Sequence, residues 1–169
     1  MDSESNLIET GEAEIGNLAP DFTLTDAQGA LWQLSAHRGH IIALLFYPGD
    51  ETLVCTKQLC SMRDQWEDYL ATGAQIVGIS PGSVEVHERF AAEHHLPMTL
   101  LADEHRRITK RYATHWLFPI WTTRALVVVD AEGIIRHRHI VLRALRPSDK
   151  NVIAAIRMAQ YDKLVARSF

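Results

Sequence analysis

The sequence predicts an α/β domain, a mixed central sheet with helices on both faces and a β-hairpin extension at the N-terminus. Three observations carry this. Predominantly apolar runs of strand length at residues 41–47, 75–79 and 125–129 suit strands covered on both faces. Stretches with apolar residues at helical spacing lie between these runs and after the last of them. Two short alternating stretches flank the turn Asp26-Ala27-Gln28-Gly29, ahead of the first buried strand.

Taken in order, residues 1–17 are acidic and polar and are expected to form a flexible tail, leaving 18–169 as one domain. Phe22 and Leu24 alternate as a strand does, and Leu31-Trp32-Gln33-Leu34 alternates back. Arg38-Gly39-His40 turns the chain into the apolar run 41–47, a central strand, which Pro48 stops because it cannot donate to a ladder. Cys55, Leu59, Met62, Trp66 and Tyr69 then recur at spacings of four and three, one apolar stripe on a helix reaching about Leu70. Residues 75–79 form the next strand, and Ser83 caps a helix running to about His95 with Val86, Phe90 and Ala91 inward. Pro97 separates it from a short strand at 98–101. A short helix at 104–112 leads to an aromatic-rich loop at 113–123 that holds Trp116, Phe118, Pro119 and Trp121. The strand 125–129 turns back at Asp130-Ala131-Glu132-Gly133 into an edge strand of Arg and His at 134–140. Pro147 and Ser148 introduce a last helix with Val152, Ile156 and Ala159 on one side.

Composition narrows the function classes. Of 169 residues, 47 % are hydrophobic and 22 % charged, the balance of an ordinary globular protein. No apolar run approaches the roughly 18 residues of a membrane span, and residues 1–17 lack the basic start and apolar centre of a secretory signal. A cytoplasmic protein without membrane association, its two cysteines resting as thiols, is therefore expected. The net charge of −4 hides an acidic N-terminus, with seven carboxylates and no Lys or Arg in residues 1–34, and a net +6 over residues 134–169. The basic residues lie along one strand and one helix without interleaved aromatics, so a solvated face is expected and nucleic-acid binding is not. Nine histidines do not imply a metal: His137 and His139 share a strand face and His37 and His40 are three apart, but neither pair has further donors at ligand spacing.

The chemistry concentrates at both cysteines, Cys55 and Cys60. Thr52 is suited to cap the helix that follows the Pro48 loop. Cys55 then falls in the first turn, where unpaired N–H groups and the helix dipole favour an anion. A thiolate is such an anion, and the thiolate is the nucleophilic form. Buried apolar cysteines are the ordinary alternative. A structural disulfide suits a secreted chain, a zinc site needs two more ligands, and a thioredoxin-type motif has two intervening residues where this chain has four. Pro48 and Thr52 ahead of Cys55 favour the nucleophile.

Phe46-Tyr47-Pro48 followed by Thr52-Leu53-Val54-Cys55-Thr56, with Cys60 five residues on, resembles the peroxiredoxins, and in particular their Q-type, or bacterioferritin-comigratory, group. Pro48, Thr52 and Cys55 match that family's active-site pattern position by position; Arg63-Asp64 and the opening Ala19-Pro20-Asp21-Phe22 are also similar. One departure is Leu53-Val54, where close relatives carry Pro-Gly. The resemblance covers about residues 18–164 and implies a thioredoxin-like fold. It implies that Cys55 attacks a hydroperoxide and that Cys60 resolves the sulfenic acid as an intramolecular disulfide. Thr52 and Arg124 then act catalytically, and Pro48, Thr52 and Arg124 bind the substrate. A thioredoxin or glutaredoxin-type donor is the implied reductant, no cofactor is needed, and the chain is a monomer or weak homodimer. Two other readings remain open: a peroxide sensor or redox relay using the same site, and a non-catalytic thioredoxin-like interaction module. Thr52, Cys55 and Arg124 together speak against the module, which needs none of them.

Helix geometry adds a constraint. Residues five apart in an intact α-helix have Cα atoms roughly 8.7 Å apart, beyond the about 4.4–6.8 Å a disulfide spans. Joining Cys55 to Cys60 therefore requires the start of their helix to unwind.

Overall fold

The computed structural model describes residues 13–49, 53–113, 123–142 and 145–166. Thr52 and the aromatic residues Trp116 to Trp121 lie outside them. A hairpin of β1 (Thr23–Asp26) and β2 (Leu31–Gln33) is followed by a 3-10 turn at Leu34–His37 and the central strand β3 (Ile42–Phe46). Two helices, α1 (Leu53–Asp64) and α2 (Trp66–Ala71), then precede β4 (Gln75–Ser80), α3 (Val84–Glu93), β5 (Thr99–Ala102) and α4 (Arg107–Ala113). The chain closes with β6 (Thr123–Val129), β7 (Ile135–Leu142) and α5 (Asp149–Ala166). The seven strands form one sheet in the order β2-β1-β5-β4-β3-β6-β7. β3 pairs parallel to β4, and β4 to β5, while β6 runs antiparallel to β3 and β7 antiparallel to β6. The expected mixed sheet with an N-terminal hairpin is thus present.

Strand alternation sorts the core into two layers. Ala43, Leu45, Ile76, Leu100, Leu126 and Val128 point to one face, where α1, α2, α3 and α5 pack through Cys55, Leu59, Met62, Tyr69, Phe90, Val152 and Ile156. Ile42, Leu44, Phe46, Val77, Leu101, Val127 and Val129 point to the other, covered by Tyr112 of α4 and by Phe22, Trp32 and Leu34. All five residues of β3 are buried, which explains its unbroken apolar run. Gly78 leaves a gap in β4 on the α1 face: a Cβ there would meet Leu100 Cδ2 at 2.8 Å and Tyr47 Cε1 at 3.2 Å. The Tyr47 ring therefore lies across β4 where the sequence places no side chain.

Three expectations change. The helix expected to reach Leu70 is broken at Gln65, whose backbone (φ −108°, ψ 25°) leaves the α-helical region and divides α1 from α2. Its amide side chain donates to Asp149 Oδ2 at 2.9 Å, a partner 84 residues away. α4 begins at Arg107 rather than 104, because the Asp103 carboxylate accepts from the backbone N–H of Thr109 at 2.7 Å and from its hydroxyl at 2.7 Å. Residues 13–17, read as part of a tail, lie against the start of β7: Ala13 is buried, Gly16 N–H donates to Ile135 O, and Ile135 N–H donates to Asn17 O.

The starts of α3 and α5 carry side-chain caps, while Thr52, expected to cap α1, lies outside the described residues. Ser83 Oγ accepts from Val86 N–H at the start of α3, and Ser148 Oγ accepts from Asn151 N–H at the start of α5. α3 buries His87 as well as Phe90. The His87 Nδ1–H donates to Ser83 O at 2.8 Å, which leaves Nε2 to accept from the Ser80 hydroxyl at 2.9 Å.

Candidate active site

β3 ends at Phe46, and Tyr47 and Pro48 carry the chain off the sheet; Tyr47 is buried and Pro48 half-buried. α1 starts at Leu53, so Cys55 stands in its first turn, at the end where backbone N–H groups lack intrahelical partners. Cys55 is fully buried on the core-facing stripe of α1, while Cys60 is half-buried further along the same helix, and neither is in a disulfide.

Opposite α1, β6 delivers Arg124. The antiparallel register pairs Phe46 with Ala125, placing Arg124 one residue beyond, at the level where β3 gives way to the Pro48 loop. Alternation then decides which way it points: Arg124 has the parity of Leu126 and Val128, the face on which α1 packs. Its guanidinium donates from Nη2 to Cys55 Sγ at 2.9 Å and from Nη1 to Gln58 Oε1 at 2.7 Å. Arg124 is only 2 % exposed, and Gln58, on α1 three residues after Cys55, is 5 % exposed. A cation this far from water is costly to hold unless its donors are met. A hydrogen bond from a guanidinium to sulfur is strongest when the sulfur is a thiolate. The site thus joins a buried thiol, a helix N-terminus and a fixed cation in a water-poor setting.

Of the residues expected from the sequence, the structure brings Cys55 and Arg124 into contact and sets Pro48 at the loop that precedes them. Thr52 lies outside the described residues. Cys60 shares α1 with Cys55 without a bond between the sulfurs. Gln58 was not expected. Its signal was a polar residue three positions from Cys55, hence on the same side of the helix.

Charge elsewhere is held in structural roles. Asp130 accepts from Glu132 and Ile134 N–H and pairs with Arg136 at 2.6 Å, fixing the β6–β7 turn. Burial, reinforced by the neighbouring His139, holds His137 below the ordinary histidine range. Among the described residues no group of three or more His, Cys, Asp or Glu side chains is placed to hold a metal ion. None of the described helices is long and apolar enough to cross a membrane.

Known proteins place this arrangement in a family. The family model described as AhpC/TSA family matches residues 15–138, which include both cysteines and Arg124. The chain belongs to the AhpC/TSA family. Among its relatives are proteins named peroxiredoxin Q, chloroplastic: one from Triticum aestivum is 38 % identical over 131 residues, 77 % of this chain and 60 % of that protein. Another, from Sedum lineare, is 40 % identical over 122 residues, 72 % of this chain and 66 % of that protein. The chain thus spans about three fifths to two thirds of the length of these AhpC/TSA relatives. Among solved structures, peroxidoxin BcpB from Mycobacterium tuberculosis superposes with a TM-score of 0.73 at 24 % identity, covering 86 % of this chain and 97 % of that one. Xanthomonas campestris peroxiredoxin Q gives 0.71 at 22 % identity, covering 81 % and 90 %. The Q-type peroxiredoxin resemblance and the thioredoxin-like fold read from the motif are both borne out.

Proposed function

We propose that this AhpC/TSA protein is a thiol peroxidase that reduces hydrogen peroxide and organic hydroperoxides. The observation that carries the reading is the buried Arg124 guanidinium bonded to Cys55 Sγ at the start of α1. The Cys55 thiolate attacks the terminal oxygen of the hydroperoxide. The O–O bond breaks, sulfur is oxidised to the sulfenic acid, and the other oxygen leaves as water or an alcohol after taking a proton. Negative charge spreads over both oxygens in the transition state, so a fixed, preorganised cation beside the sulfur lowers the barrier. Thr52 is assigned as a second donor to the peroxide, and Pro48 shapes the approach. Gln58 holds the second arm of Arg124 and keeps the guanidinium aimed at the sulfur.

Cys60 thiolate then attacks the sulfenic sulfur. A disulfide forms, and the sulfenic oxygen leaves as water. A dithiol protein of the thioredoxin or glutaredoxin class reduces that disulfide and completes the cycle without a cofactor. Cys55 and Cys60, five apart in α1, are too far apart in an intact helix for that bond. This supports an oxidised form with the start of α1 opened. The assay is turnover of hydrogen peroxide with thioredoxin, thioredoxin reductase and NADPH. Many turnovers per chain are expected. A single stoichiometric oxidation without recycling would make the same site a peroxide sensor or relay.

A further inference from the structure

We propose that Asp149, far from Cys55 in sequence and not part of the peroxide site, is the positioning residue that fixes where the cysteine helix stops opening. The inference rests on the proposed Cys55–Cys60 disulfide. The two halves of α1 are tied to the domain by different chemistry. The first half is joined to Arg124 through Cys55 Sγ and Gln58 Oε1. The second half is joined to Asp149, the first residue of α5, through Ser61 Oγ at 2.5 Å. Arg63 adds a bond from Nη1 to His94 O at 2.6 Å.

Beyond the break, Gln65 Nε2 donates to Asp149 Oδ2 at 2.9 Å and Tyr69 OH to Oδ1 at 2.6 Å. One carboxylate, 7 % exposed, therefore gathers donors from positions 61, 65 and 69, which are four apart and lie along one side of α1 and α2. Burial, and then the bond to Asp149, raises the Tyr69 hydroxyl well above the ordinary tyrosine range, so it remains a donor. Asp149 is itself rooted in α5, whose Val152, Ala155, Ile156 and Ala159 are buried against the sheet.

Oxidation acts on these ties unequally. When Cys55 becomes a sulfenic acid, the bond from Arg124 no longer ends on an anion, and the first half loses a charge-assisted tie. The bonds of Ser61, Gln65 and Tyr69 to a carboxylate contain no redox-active atom and persist. Opening that begins at Leu53 then ends at Ser61. Cys60, the neighbour of Ser61, stays where the carboxylate holds it, and Cys55 is the sulfur that travels. Four residues separate the two, and closing from the helical separation to a disulfide takes only about 2–4 Å at Cα.

The test is amide exchange on the full chain, reduced and peroxide-oxidised, with the disulfide confirmed by mass, in the parent and in Asp149→Asn. In the oxidised parent, amides 57–64, whose helical acceptors are the carbonyls of 53–60, are expected to lose protection and 65–71 to keep it. In oxidised Asp149→Asn, exchange at 65–71 is expected to rise roughly 10- to 150-fold, the loss of one hydrogen bond to a charged group, while reduced Asp149→Asn keeps its α1 protected. Should Asp149→Asn fail to fold, Ser61→Ala removes one donor and keeps the carboxylate, and the same oxidised-state shift is expected at 65–67, starting with the amide that donates to Ser61 O. A boundary beyond residue 64 in the oxidised parent overturns the proposal. So does exchange that rises equally in both redox states, the mark of a merely structural carboxylate, and so does a boundary that neither variant moves. Oxidised protein without a Cys55–Cys60 disulfide overturns this proposal and the resolving step together, whereas a disulfide with the wrong boundary overturns this proposal alone.

Discussion

Replacing Arg124 by Met separates the chemistry of the site from its stability. Met has similar length and fills much of the same buried space, but it carries no charge and no donor. Among the bonds lost are one to Cys55 Sγ at 2.9 Å and one to Gln58 Oε1 at 2.7 Å, both from a side chain 2 % exposed. For stability the terms oppose each other. Bonds from a charged group contribute about 1.5–3 kcal/mol each, and a buried acceptor left without a partner costs about 1–3 kcal/mol. Against this, a guanidinium removed from water carries a penalty of several kcal/mol that Met does not. The terms partly cancel, and thermal denaturation of Arg124→Met reads what remains. For the reaction nothing offsets the loss. A preorganised donor facing developing charge is worth about 2.7–4 kcal/mol, a fall of about 10²–10³-fold in rate. The assay is stopped-flow oxidation of reduced protein at rising peroxide concentration, read as a second-order rate constant. A constant within about threefold of the parent, in a protein that melts normally, would refute the role of Arg124.

Other outcomes follow from individual contacts. Cys55→Ser is expected to abolish peroxide consumption, whereas Cys60→Ser still oxidises once to a sulfenic acid that a dimedone-type probe traps; the reverse pattern would exchange the roles of the two sulfurs. Gly78→Val places side-chain atoms against Leu100 and the Tyr47 ring, and overpacking of this kind costs about 1–3 kcal/mol, which thermal denaturation reads as a lower Tm. Burial tends to raise the pKa of Asp21, but hydrogen bonds from Ser35 and Gln33 outweigh it and hold the carboxyl below its ordinary value. Its stabilising contribution is therefore present above the unfolded value of about 3.9 and lost as pH falls through the lower folded value. Asp21→Asn should melt below the parent at pH 7, and the gap should close in strongly acid solution; a gap that persists there would assign the loss to shape instead of charge.

The strands were legible because their information is local. Residues 42–46 are buried on both sides, and an unbroken apolar run says so directly. The break at Gln65 was not legible, since the apolar spacing from Cys55 to Tyr69 continues through it while its side-chain partner lies 84 residues away. The start of α4 was misplaced for a related reason: Asp103 reaches over the next turn to cap Thr109, and Glu104 carries no mark that distinguishes it. His87 is a polar residue on a helix and reads as exposed until Ser80 and Ser83 are seen to satisfy both ring nitrogens. At the site, Cys55 was legible from Pro48, Thr52 and the helix start. Arg124 alone would read as a surface charge. It became a candidate through the family motif, and strand parity accounts for its direction. Gln58 and Asp149 were missed because a buried polar side chain has meaning only with its partner in place.

The contact between Cys55 and Arg124 joins residues 69 positions apart. During synthesis the thiol is made first, and at about 5–20 residues per second its cation follows roughly 3–14 s later. Until β6 has been made and has paired with β3, Cys55 is an ordinary cysteine on an unfinished sheet. The pairing of β3 with β6 is also the pairing that turns Arg124 toward α1. Nascent chains and fragments ending before β6 thus carry both sulfurs without the charge beside them, so the peroxide reactivity proposed for Cys55 arrives only with the completed sheet.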